Sequence, residues 1–219
     1  MIYEDNYLIA VNKPPRAASV PAENIPLQQT VLGLVQRQFK EKQITPYLLH
    51  RLDFQTSGVL LFGKHERDRQ ALENIFRQPD TRKKYIALVK GVPRGSVITK
   101  KLPGRSTSEK IPAQTNYKIL KVLNKPGAPL CALVETEIKT GRRHQIRQHF
   151  AAIGHPVILD SKYGDFHFNR KFRLTFRLGR LFLHASTASF YHPMLKKITT
   201  VEAPLPPDLQ IALKRLNSI

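Results

Sequence analysis

Residues 48–64 read LLHRLDFQTSGVLLFGK, and the second half of this stretch decides the fold. Between Gly58 and Gly63 the run is apolar without alternation, which predicts a strand covered on both faces. A strand of that kind needs neighbours, and the chain supplies them. YLIAVNKPP (7–15) reads as a short strand stopped by Pro14 and Pro15, and KKYIALVKG (83–91), PLCALVETEI (129–138) and LFLHASTASFYHP (181–193) read as three more.

Helical spacing appears between these runs. In LQQTVLGLVQRQFKEKQ (27–43), Val31, Leu34, Val35 and Phe39 fall on one helical face, with lysines towards the C-terminal end. HERDRQALENIFRQP (65–79) sets Leu72, Ile75 and Phe76 on one stripe and stops before Pro79. RRHQIRQHFAAIG (142–154) pairs Ile146 with Phe150 and ends on Gly154 as a helix cap. PPDLQIALKRL (206–216) is a helix opened by prolines. Strands and helices alternate irregularly, and several strands are close neighbours in sequence. The fold class this predicts is α+β, a mixed and largely antiparallel sheet flanked by helices, in a single domain over residues 1–219. No internal repeat and no glycine-rich phosphate loop of the usual forms is present.

The charge narrows the partner. The 219 residues carry 36 Lys and Arg against 16 Asp and Glu, a formal net charge of +20. So positive a surface attracts a polyanion, and the spread of basic residues along the chain favours nucleic acid over a membrane-binding helix. No window approaches the length of a membrane span, and the acids near the N-terminus are the reverse of a signal peptide, so a cytoplasmic protein is expected. The single cysteine, Cys131, lies in an apolar run and reads as a buried, inert thiol.

Asp53 stands immediately before the buried run. An Asp ahead of Phe-Gln-Thr-Ser-Gly is commonly a turn former, and that reading competes with a chemical one. If the segment starts extended, Arg51 and Asp53 share a face and His50 and Leu52 take the other. An arginine on the same face keeps the carboxylate ionised, fit to act as nucleophile or base. A second basic cluster, TGRRHQIRQHFAAIGHP (140–156), puts Arg143 and Arg147 one helical turn apart, where a solvated basic face is the competing reading. His144 and His149 are five apart, a poor metal pair, and no metal or other cofactor is expected. Residues 91–115 read as a basic excursion carrying Lys100, Lys101 and Arg105. In FHFNRKFRLTFRLGR (166–180) aromatics alternate with arginines, which suits base stacking with phosphate contact, unless Phe166, Phe168, Phe172 and Phe176 are core residues.

These residues resemble the RluA-type family of RNA pseudouridine synthases. HRLDFQTSG (50–58) matches the family's catalytic loop, RKKYIALVKG (82–91) its tyrosine motif, and GRRHQIRQHFAAIGHPVILDSKYG (141–164) its third motif. Weaker echoes run from YEDNYLIAVNKP (3–14) to LFLHA (181–185) and VEAPLPPDL (201–209). Two positions depart from the family pattern. Arg16 in NKPPRAAS stands near the family's usual glycine after Lys-Pro, and Leu159-Asp160 stands for its Gly-Asp. The pattern begins at once, so the S4 domain common in the family is not expected.

The resemblance implies a cofactor-free isomerase with Asp53 as the catalytic carboxylate. Arg147 would keep that acid charged, and Tyr85 would lie against the uracil. RNA contacts are expected from Arg51, His50, Thr56, Arg143, Lys100 and Lys101, with the planar guanidinium of Arg51 filling the space of an extruded base. The expected substrate is a stem-loop of ribosomal or transfer RNA, bound by a monomer. A noncatalytic RNA-binding protein is the rival, since charge and aromatics suit it equally. A glycoside hydrolase would need a second flanking carboxylate, for which only Asp160 offers itself.

Overall fold

The computed structural model describes residues 1–103 and 109–218. In chain order the elements begin with β1 (Tyr3–Glu4), β2 (Leu8–Lys13), α1 (Val31–Phe39), β3 (Tyr47–Leu48), β4 (Ser57–Gly63), α2 (Arg69–Glu73) and β5 (Arg82–Lys90). They continue with β6 (Val97–Pro103), β7 (Lys110–Leu123), β8 (Cys131–Ile138), α3 (Gln145–Ala152), α4 (Phe166–Phe176), β9 (Leu183–His192), β10 (Lys197–Glu202) and α5 (Pro207–Ser218). The chain divides into two compact units, Met1–Lys83 with Ala185–Pro204, and Lys84–His184 with Leu205–Ile219. Among the described residues no helix is long and apolar enough to cross a membrane.

In the first unit β4 is the strand the sequence announces. Every residue from Ser57 to Gly63 is buried. It pairs antiparallel with β2, from Leu8 opposite Gly63 to Lys13 opposite Gly58, and with β3 through Tyr47 and Leu48. β1 extends the sheet beyond β2, and β10 lies antiparallel on β9. Gly58 has φ +117, and a Cβ there would meet the Ala185 carbonyl oxygen at 2.1 Å, so β4 closes onto its neighbour only without a side chain. Leu8, Ala10, Val59, Leu61, Leu72, Ile75, Phe190 and Val201 form the core. Each such large side chain contributes about 1.5–3 kcal/mol by leaving water.

Helix α1 differs from its predicted face in one position. Val31, Val35 and Phe39 are buried, but Leu34 is 53% exposed, and Gly33 takes the inward place. The turn at 27–29 presses so close that a Cβ on residue 33 would lie 1.9 Å from the Leu27 carbonyl oxygen. Hydrophobicity misled here because the position wanted no side chain at all. The helix expected over 65–79 is a short α2 between 3-10 turns at Glu66–Asp68 and Asn74–Arg77, with Leu72 and Ile75 buried as expected.

In the second unit the strand order is β5-β8-β7-β6. β7 pairs antiparallel with β8, with a bulge between Ile119 and Lys121, and with β6. The segment 91–115, expected as an irregular basic excursion, is largely this β6/β7 pairing; Arg105 lies outside the described residues. Leu88, Cys131, Ile158, Phe172, Phe176, Phe182, Leu209 and Leu216 pack as its core. Burial pushes the Cys131 thiol up to about 12, the inert thiol expected. Arg180, itself buried, fixes α5 by a bidentate pair to Asp208 at 2.6 and 3.0 Å.

The two departures from the family pattern share a backbone cause. Arg16 has φ 58 and Leu159 φ 61, both in the left-handed region where glycine is the unstrained residue. Glycine at either position would relieve a strain that this chain carries. Arg16→Gly is expected to be more stable than Arg16→Val by about 1 kcal/mol or more in urea unfolding.

Candidate active site

Asp53 sits on a turn closed by the Thr56 amide donating to the Asp53 carbonyl at 3.0 Å. Buried polar groups hold that turn. At the end of β2, Lys13 is fully buried, and its Nζ donates to the carbonyls of Pro14 (2.9 Å), Ala17 (2.8 Å) and Phe54 (3.3 Å). An ammonium has three donors, and here three backbone acceptors stand around it. Ser19, also buried, brackets Leu52 by donating to its carbonyl at 3.2 Å and accepting from its amide at 3.3 Å. The backbone on both sides of Asp53 is thereby pinned from beneath. Asp53 is partly exposed, Arg51 and Phe54 are exposed, and Leu52 is buried.

His50, expected on the RNA, has a structural task. Its Nε2 accepts the Leu61 amide of β4 at 3.2 Å, and its ring lies 4.7 Å from that of Phe76. Burial, with nearby Lys83 adding to it, pushes the imidazole down to about 3. A neutral ring is what an acceptor Nε2 requires. Thr56 is buried, and its Oγ1 has no hydrogen-bond partner among the described residues.

In the second unit Tyr85 lies buried in β5. Arg147 is buried in α3, and Asp160 takes one edge of its guanidinium, with Nε at 2.7 Å from Oδ2 and Nη2 at 2.9 Å from Oδ1. The carboxylate is itself fixed by the amides of Lys162 (2.9 Å) and Tyr163 (3.0 Å). Burial alone would raise the Asp160 carboxyl; the Arg147 fork and these amides outweigh it and hold the group below its usual range. The Arg147 guanidinium lies 5.3 Å over the Tyr163 ring, and the Tyr163 hydroxyl is 3.1 Å from His144 Nδ1.

Arg143 and Arg147 do not share a helix side. The helix starts at Gln145 behind His144, whose φ of 55 breaks the phase, so Arg143 is exposed before the helix while Arg147 is buried within it. His149 is buried against Thr115 Oγ1 at 2.9 Å. Among the described residues no group of three or more His, Cys, Asp or Glu could hold a metal ion. Lys100 and Lys101 are both exposed on β6 but project to opposite faces, Lys100 on the side of buried Ile98 and Leu102.

Sequence reasoning missed Lys13 and Ser19 altogether and gave Asp160 no partner. The Asp-Ser-Lys-Tyr-Gly string does carry a signal, since an Asp that caps amides two and three residues on is a common turn. Nothing in LIAVNK marks Lys13 as buried.

The fold defines the class. The chain superposes on human RNA pseudouridylate synthase domain containing 4 with a TM-score of 0.77, covering 98% of this chain and 92% of that one at 23% identity. The human domain containing 1 gives 0.75 over 100% and 94% at 22% identity. This is the fold of pseudouridine synthases, RNA-modifying isomerases. Sequence then fixes membership. Residues 7–152 match the family model for RNA pseudouridylate synthase. The ribosomal large subunit pseudouridine synthase C of Buchnera aphidicola is 34% identical over 94% of this chain and 67% of its own length. That of Escherichia coli is 31% identical over 100% and 70%. The chain belongs to the RNA pseudouridylate synthase family, in its RluA-type branch.

The depressed His50 gives a signed pH effect. Between about 6.5 and about 3 the unfolded chain binds a proton at this ring that the folded chain refuses, so stability is full above 6.5 and falls as pH drops through that window. The contribution from pH 6.5 to pH 5 is about 2 kcal/mol. Urea unfolding of His50→Gln at pH 7 and pH 5 should show a smaller loss than the parent by roughly that amount.

Proposed function

We propose that the chain converts a uridine in a stem-loop of ribosomal or transfer RNA to pseudouridine, with Asp53 as the reacting carboxylate. The observation that carries this reading is the Asp53 turn: a carboxylate at the family's motif position, partly exposed, on backbone clamped by Lys13 and Ser19. The names of the relatives, synthases of the large ribosomal subunit, favour ribosomal RNA.

The reaction breaks the N1–C1′ bond of uridine, turns the ring, and forms C5–C1′, while C5 loses a proton and N1 gains one. Atoms and oxidation level are unchanged, so the chemistry calls for no redox group. Asp53 acts as nucleophile at C1′ or as base at the neighbouring ribose carbon. Arg147, held rigid by Asp160, is assigned to keep that acid charged. Tyr85 is assigned to the uracil face, with its hydroxyl a proton acceptor for the last step. The target uridine must leave its stack, at a cost of a few kcal/mol. Exposed Arg51 is assigned to occupy the space it leaves. Arg143, Lys100 and Lys101 are assigned to the RNA around it, whereas buried Thr56 is not, and the enzyme is read as a cytoplasmic monomer.

Asp53→Asn should abolish pseudouridine formation, to below a tenth of the parent, while RNA affinity stays within a few-fold, because the change removes a reacting group and little binding surface. A noncatalytic RNA-binding protein predicts no product from either form. Product from the variant at the parent's rate would remove Asp53 from the chemistry.

A further inference from the structure

The stretch 166–180 was ambiguous as sequence, and the structure divides it. Phe172 and Phe176 are buried and Phe168 packs partly against the same core, so these three rings hold α4 down. Phe166 is different, at 73% exposed, and so is Leu174, at 71%. With Arg170 and Arg173, both exposed, they fall at i, i+4, i+7 and i+8, one outward stripe of the helix; Arg177, also exposed, is the left-handed C-cap beyond it. Lys171 is exposed beside it.

That stripe lacks the ordinary compensation of a charged helix face. Residues 166–177 contain no acid, and the N-cap Asp165 is spent on the Phe168 amide at 3.0 Å and on Lys90 at 3.1 Å. Among the described residues, no side-chain hydrogen bond or ion pair involves Arg170, Lys171, Arg173 or Arg177. Like charges one turn apart cost a helix a few tenths of a kcal/mol per pair unless an anion lies across them. Two guanidiniums one turn apart are spaced for adjacent phosphates, and a ring standing in solvent one turn before them is spaced for a base.

The helix is also anchored where such contacts would register. Asn169 accepts the Leu159 amide at 2.9 Å and donates to the Asp160 carbonyl at 2.9 Å. At Gly164 a Cβ would lie 2.5 Å from that carbonyl oxygen and 2.8 Å from the Asn169 amide nitrogen, so the connection between the two is as short as backbone permits. Asp160 is the residue that grips Arg147. The outward stripe and the buried arginine therefore belong to one rigid piece of the second unit.

We infer that the outer stripe of α4 is an RNA-docking face, in which Arg170 and Arg173 bind adjacent phosphates of the substrate and Phe166 stacks on an unpaired base. The inference rests on the reading of the chain as an RNA pseudouridine synthase, and it assigns α4 to binding and positioning, not to the chemical step.

The test uses the full chain and a transcript of large-subunit ribosomal RNA, with binding and pseudouridine formation measured separately. Arg170→Ala with Arg173→Ala should weaken binding roughly 10-fold or more at low salt and flatten the log–log salt dependence by about 1.4 to 1.8. Turnover at saturating RNA should be unchanged, and Arg170→Lys with Arg173→Lys should restore most of the slope, which a mere loss of helix would not. Phe166→Ala should weaken binding about 5-fold or more to RNA with an unpaired base and leave blunt duplex unaffected. Alanine variants that bind with the parent's affinity and slope overturn the inference. So does a stripe whose variants keep RNA affinity and instead lose retention on phosphatidylserine vesicles. Loss of binding in the variants, from a parent that forms no pseudouridine in any RNA, would uphold the docking face and overturn the proposed function. A parent that forms pseudouridine beside variants that bind normally would do the reverse.

Discussion

A buried ammonium organises the first unit. Lys13 ends β2 opposite Gly58 of β4, inside the sheet, and its three donors stand within reach of the carbonyls of Pro14, Ala17 and Phe54. Burying a lysine is costly unless its charge and its donors are met, and leaving any of those carbonyls unmet costs about 1–3 kcal/mol. The two requirements satisfy each other only if the chain after β2 folds back and the turn after Leu52 approaches from the other side. Asp53 sits on that turn. Its position follows from the backbone beneath it.

The second unit repeats the logic with a different pair. Arg147 is buried and therefore needs an anion, Asp160 is buried and therefore needs a cation, and the two meet with bidentate geometry while two amides hold the acid. Such a pair adds little net stability compared with an apolar one, but its two parallel hydrogen bonds fix the arginine's direction. Helix α4 is bound to the same turn through Asn169, so its exposed arginines inherit that rigidity. The Asp53 turn and Arg147 thus each stand on buried polar contacts, and the apolar cores supply the framework on which those contacts close.

Much of this was legible in the sequence because it depends on local period. The unbroken apolar run of β4, the Ile146 and Phe150 spacing of α3 ended at Gly154, and the proline-opened α5 each announce themselves. The motif residues were legible through resemblance. What was hidden depends on who meets whom at long range. Gly33 replaces Leu34 on the inner face of α1 because the turn at 27–29 folds back onto the helix and leaves no room, a contact that helical spacing does not contain. His144 in a left-handed conformation separates Arg143 from Arg147, which no helical wheel contains. The alternation of rings and arginines in α4 could not say which ring was left outside. The answer, Phe166, came from where the helix begins on the core. The departures at Arg16 and Leu159 were visible as sequence, but their meaning, two strained left-handed residues, was visible only in φ.

Lys13 holds the turn that carries Asp53 from below, and amide hydrogen exchange in Lys13→Met, where the charge is lost and the bulk is kept, tests this. The Thr56 amide, which closes the turn onto Asp53, should exchange much faster than in the parent. The amides of Val59 to Phe62 in β4 should keep their protection, so that the turn alone is released. Equal protection of Thr56 in the two proteins would contradict it.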